Sequence, residues 1–298
     1  MNLGIARTGL SLGNSSGWTG IRLNLQDRNL SSANGLTLSL WKAGPNAEST
    51  YRGIALGLLG PEGGRFRGLA FGGLGVYAEH DIAGLAMGGL ATVSRHTIHG
   101  IVAGGLGVAA LDRVNGAAVG GLGVFARGGL TGLAVAPLAV LYEGPTSGLS
   151  IAGLGLASSS SLYGVNVGGL AVLGRGRVAG LNLASLAIAG QESVLGVSVA
   201  GGAISASDRV GGINLAGLTI QAGETIEGIS AALLRIDTKD LLGLSASAFH
   251  RIRGEQRGIV IGLINSAREL HGLQIGLLNH AGNNPAGLRW LPLLNFHK

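Results

Sequence analysis

The chain has 298 residues, of which 57 are glycine, 12% are charged and none is cysteine. Glycine far above its usual share of about 7%, yet without a three-residue period, excludes a collagen triple helix, and the missing cysteines exclude disulfides and thiolate metal sites. The net charge of +6 comes from scattered bases such as Arg95, Arg113, Arg127 and Arg175, not from one patch interleaved with aromatics, so nucleic acid is not an expected partner.

Residues 1–17 lack a basic start followed by a long apolar run, so no signal peptide is visible in them. No run of about 18 large apolar residues occurs, so no transmembrane helix is expected. From Gly20 onward a glycine-marked repeat takes over. Gly20, Gly35 and Gly53 open it with relaxed spacing. Gly68, Gly84, Gly100 and their successors up to Gly228 then recur every sixteenth residue, and Gly243, Gly258, Gly272 and Gly287 close it. Three regions follow: irregular N-terminal repeats with Trp18 and Trp41 over 1–52, a regular array over 53–242, and shorter repeats with Pro285, Trp290 and Pro292 over 243–298. The first and last are expected to cap the stack, because an open end invites edge-to-edge association.

With the marking glycine as position 0, four columns are aliphatic. Position +1 holds Leu69, Leu85, Ile101 and Leu133; +3 holds Phe71, Met87, Val119 and Val135; +6 is leucine from Leu74 to Leu218 except at Gly202; +8 holds Val76, Val108, Val124 and Ile188. Position +14 is also apolar, as in Ile82, Ile98 and Val114. Between +10 and +13 the sequence turns polar, as at His80-Asp81, Asp112-Arg113 and Ser207 to Arg209, giving one solvated turn per repeat. Glycine pairs such as Gly72-Gly73 and Gly120-Gly121 fall mid-unit, at about 1 kcal/mol per glycine in a helix, so the repeat is β-structure.

Two β architectures fit: a solenoid with one coil of about 16 residues per repeat, or an outer-membrane β-barrel with one strand per repeat. In a single strand, +1 and +3 share one face while +6 and +8 share the other. A corner at the +4/+5 glycines and another at position 0 would instead turn all the aliphatic columns inward, which favours the solenoid. Column +2 drifts from Ala70, Ala86 and Ala118 to Ser150, Asn166, Asn182 and Ser198, and is expected to point outward. The outer faces would then be smooth, nearly uncharged, and suited to a membrane surface or to other copies of the chain.

The closing units Gly258-Ile-Val-Ile-Gly-Leu-Ile-Asn265 and Gly272-Leu-Gln-Ile-Gly-Leu-Leu-Asn279, with the final Leu291-Pro-Leu-Leu-Asn295, resemble the bacterial "surface repeat" family of glycine-rich repeat proteins. The resemblance covers Gly20 to Asn295. It implies a location in the cell envelope, at the outer membrane or cell surface, and brings no functional residues with it. Asn265, Asn279 and Asn295 occupy equivalent positions and are expected to form a short asparagine ladder.

No catalytic, cofactor or metal site is expected. Gly72 to Gly75 and Gly120 to Gly123 mimic phosphate-cradling loops, but the pattern recurs down the chain with no helix after it and no Walker lysine. His80 and His96 share a column, with Asp81 and His99 nearby, yet lie in turns that nothing holds rigid. The carboxylates Glu79, Asp112, Glu143, Glu192, Asp208 and Glu224 are isolated in turns without a cleft for acid-base chemistry. The expectation is a non-enzymatic structural or interaction protein with no small-molecule substrate. A barrel pore, or a surface-, glycan- or ice-binding module using column +2, is the alternative.

Overall fold

The computed structural model describes residues 2–44 and 46–298 and is a β-solenoid of about 16 residues per turn. It comprises two compact units, residues 1–152 and 153–298. In the first unit Gly100 pairs with Gly116 and Val108 with Val124; in the second, Gly196 pairs with Gly212 and Ile204 with Ile220. All these ladders are parallel. A barrel of one strand per repeat needs antiparallel neighbours, so the solenoid is the fold.

A regular coil holds a long and a short strand, as in Arg113–Gly120 and Gly123–Ala126. The long strand bends at its marking glycine. Gly116 has φ 136°, which L side chains rarely adopt, and a Cβ there would overlap the carbonyl oxygen of Gly100 in the previous coil. The second corner is as tight: a Cβ on Gly121 would overlap the Gly105 oxygen. Both corners expected from the glycines are therefore present.

What lies inside the coil differs from expectation. Columns +8 and +14 do face inward, as in Val124, Val140, Ile98 and Val114. Column +2, expected outside, is also buried: Ala86, Val102, Ala118 and Ala134 have no measurable exposure. Columns +1, +3 and +6, expected inside, face out, with Ile101 56%, Val119 43% and Leu106 51% exposed. The bend at position 0 explains the inversion. It turns the chain midway between −2 and +2, so both of these point in, and the alternation of a strand then sends +1 and +3 out. The remaining inward positions are small, with Gly120 or Ala136 at +4 and Ala110 or Ala126 at +10. Inward sides meet at one axis with about 4.8 Å of height per coil. That lumen holds one Val, Ile or Leu from each of two columns plus mostly small residues, and adding three leucine-sized columns would overpack it.

The Ser/Asn stretch of column +2 is consequently a buried ladder. In the second unit Asn166 donates to Asn182 at 2.9 Å, and Asn182 donates to Ser198 at 3.3 Å, with all three side chains inaccessible. Asn214, the next asparagine in the column, is equally buried, yet neither its amide nitrogen nor its oxygen has a hydrogen-bond partner.

The ends are irregular in ways the spacing conceals. Thr8–Leu12 already pairs in parallel with Gly17–Asn24, Gly9 facing Gly20, so a coil precedes the first one expected, and Asn2–Ile5 folds back on it antiparallel. Next comes a buried ion pair. Arg22, at an inward +2 position, meets Asp27, which also accepts from Asn24 at 2.8 Å, Ser39 at 2.5 Å and the Tyr51 hydroxyl at 3.0 Å. At the other end Gly287 does not mark a coil. Ala286–Leu288 is a 3-10 turn, and Trp290–His297 runs antiparallel to Ile264–Ala281.

Two substitutions test this geometry. Gly116→Ala is expected to destabilise by at least about 2 kcal/mol, through strain at positive φ and the overlap with Gly100. Gly155→Ala, where nothing lies within 4 Å of the added carbon, changes stability by less than about 1 kcal/mol. Denaturant midpoints of the two variants check both. Within the ladder, Asn182→Ala strands the Asn166 donor and costs about 1–3 kcal/mol. Asn214→Ala, removing a polar group that has no partner, leaves the midpoint unchanged or raised; a loss equal to that of Asn182→Ala would contradict the ladder.

Candidate interaction surface

The coil geometry sorts side chains around the solenoid into a polar corner and an apolar face. The corner at +11 to +13 carries ion pairs between coils. Arg95 meets Glu79 at 2.5 Å, Arg127 meets Glu143 at 3.2 Å, Arg177 meets Glu192 at 3.5 Å, and Lys239 meets Glu224 at 2.6 Å. These partners are largely exposed, so each pair contributes little to stability. They do neutralise most of the carboxylates singled out above; Asp112 instead accepts from the Thr97 hydroxyl at 2.8 Å.

The histidines of this corner do not converge. The rings of His80 and His96 are 5.4 Å apart, but His96 Nδ1 lies 3.1 Å from the Glu79 carbonyl oxygen and His80 Nε2 lies 3.8 Å from Glu48. Asp81 accepts from the Thr97 amide, and His99 lies beside Asn115 on the next arm. Among the described residues no three His, Asp or Glu side chains are placed to hold a metal ion. The glycine runs 72–75 and 120–123 are coil corners followed by short strands.

The apolar face consists of columns +1, +3 and +6. In the first unit Leu74, Leu90, Leu106, Leu122 and Leu138 form a row, each 42–51% exposed, beside Ile54, Leu69 and Ile101 at +1. In the second unit Leu154, Leu170, Leu186 and Leu218 continue the same column, beside Leu181, Ile213 and Ile229. Exposed aliphatics are ordinary when single; ordered rows are not, since the largest patch on a typical monomer is about 300–600 Å². Column +2 offers no comparable surface, because its serines and asparagines are inside. The signal for this face was present in the sequence, as the near absence of charge between turns, but assigning the leucines to the core concealed it.

Two buried titratable groups lie away from this face. Burial alone would raise the Asp27 carboxyl, but the Ser39 hydroxyl, the charge of Arg22 and the Asn24 amide outweigh it and hold it below the usual carboxylate value. In the second unit His250 donates from Nδ1 to Asn265 Oδ1 at 2.9 Å, while its Nε2 lies 2.9 Å from the Ser245 hydroxyl. Asn265 in turn donates to Asn279 Oδ1 at 2.7 Å. The expected asparagine ladder thus exists, but its third member is His250. Asn295, on the antiparallel last strand, bonds the backbone oxygen of Asn279 instead. Burial lowers His250 to about 4, against a smaller upward effect of Asn265.

Compared with protein-family models, curated proteins and solved structures, the chain matches none.

The His250 environment sets a pH dependence. Its folded pKa lies below the unfolded value of about 6.5, so the unfolded chain takes up protons first as pH falls. Stability present above pH 6.5 is expected to decline toward pH 4, by up to about 3 kcal/mol from this one group. His250→Asn, which repeats the residue type of the following coils, flattens that decline. Denaturation midpoints between pH 7.5 and 4 measure it, and an unaltered slope in the variant rules the assignment out.

Proposed function

We propose that this chain is a non-enzymatic structural and interaction protein of the bacterial cell envelope, a repeat scaffold that docks through its apolar face. One observation carries the reading: columns +1, +3 and +6 present rows of half-exposed leucine, isoleucine and valine along each unit. Removing such rows from water is the dominant driving force of association, at roughly 25 cal/mol per Å². The rest of the coil is committed to stacking, since inward columns are filled and the marking glycine admits no side chain. The envelope placement rests on the GLQIGLLN-type units and their resemblance to the surface-repeat proteins.

The test expresses the full-length gene in a Gram-negative host and fractionates the cells. Wild type is expected with the envelope. Leu106→Glu combined with Leu122→Glu, both side chains lying outside the core, keeps the circular dichroism spectrum and thermal midpoint but moves the protein at least tenfold toward the soluble fraction. Recovery of wild type from the cytosol, or a variant that stays with the envelope, overturns the reading.

A further inference from the structure

The leucine row of the second unit has one gap and, beside it, one added leucine, and the two are complementary. At Gly202 the row lacks its leucine altogether. At residue 233, where other coils have a corner glycine such as Gly217, stands a leucine that is 73% exposed. The gap belongs to the coil of Gly196 and the knob to the coil of Gly228, so they lie two coils apart, on either side of the coil of Gly212. Beside the knob runs an apolar groove of about 740 Å³, floored by Ala200, Ala216 and Ala232, walled by Val199, Leu215 and Leu233, and continuing past Leu233 to Ile261 and Leu263.

We infer that this face of the second unit is a two-fold interface between two copies of the chain, with the symmetry axis passing through the coil of Gly212. The inference rests on the reading of the outward columns as the docking face and names its occupant. A two-fold axis there places Leu233 of one copy opposite the Gly202 gap of the other, and the reverse, which is the self-complementarity an isologous contact requires. Two faces with the same coil repeat of about 4.8 Å also stay in register along their whole length, as packed sheets do. The area suffices: columns +1, +3 and +6 of this unit expose apolar surface on the order of 1,000 Å², against about 800 Å² per partner in a standard stable interface. A bilayer is the poorer fit. It has no use for a paired knob and gap, and the rows carry neither tryptophan nor tyrosine nor a charge to anchor at a lipid interface.

The chain contains no cysteine, so single cysteines report proximity cleanly. The full chain is expected to sediment at twice the monomer mass. Leu218→Cys, on the central coil, should form a disulfide-linked dimer in air, while Leu242→Cys, also exposed but on another side of the coil, should not. Leu233→Glu should weaken dimerisation at least a hundredfold with the thermal midpoint of the monomer unchanged. A monomer that floats with phosphatidylcholine–phosphatidylglycerol vesicles, and ceases to in Leu215→Glu, overturns the dimer and leaves the docking face standing. A monomer that ignores vesicles overturns both. A dimer linked through Leu242→Cys, or indifferent to Leu233→Glu, overturns the interface assigned here.

Discussion

Successive coils of this protein touch backbone to backbone at one column, and that approach governs the remaining architecture. The marking glycines stack with φ from 94° to 143° between Gly180 and Gly272, and each would collide with the carbonyl of the coil before it if it carried a Cβ. A bend in that conformation brings three arms of chain around a narrow lumen with room for two branched aliphatic columns and small residues besides. The lumen then takes mostly alanine, glycine, serine and asparagine in three inward columns and leaves valine, isoleucine or leucine for two. The aliphatic side chains beyond those two columns go to the outside. The apolar exterior is therefore the counterpart of the tight corner.

Much of this was legible from residue order. The sixteen-residue period, the β character, the single polar turn and both glycine corners follow from composition and spacing, and the parallel ladders have the expected register. Which columns face in was not legible, because hydrophobicity is an unreliable guide to direction in so thin a coil. Leu106 and Ile101 are more apolar than Ala118, yet Ala118 is the buried one. Side-chain volume was the better signal: columns +2, +4 and +10 are small in the regular array with few exceptions, such as Val102 and Tyr142, and recurrent smallness marks a crowded position. The polarity of Asn166 and Asn182 pointed the wrong way for a related reason. A stacked amide finds its partner one coil away, so it meets its hydrogen-bond needs without solvent.

The candidate surface was concealed by the same misassignment. A column of leucines reads as core in nearly every fold, since soluble proteins rarely display ordered aliphatic rows. The scarcity of charge between the turns was the trace it left. Finer features, such as the missing leucine at Gly202 and the extra one at Leu233, carry meaning only after the coil is laid out, because their separation along the chain says nothing of their being two coils apart on one side. The buried Arg22–Asp27 pair was likewise invisible, since Asp27 belongs to a loop between coils rather than to a repeat column.

That pair and the polar rows have a consequence for how the chain finds its fold. Near-identical repeats are exposed to slippage: a strand displaced by one whole coil would still lay valine on valine and glycine on glycine. Hydrophobic matching alone cannot tell the two alignments apart. A displaced coil would carry Arg22 and Asp27 along together but take Asp27 away from the Ser39 and Tyr51 hydroxyls it accepts from, and a displaced His250, which has Ile236 on one side, would lose Asn265 on the other. Each such error leaves a buried donor or charge unsatisfied, a cost of several kcal/mol. The least apolar positions of the interior thus act as keys that index each coil to its own neighbours.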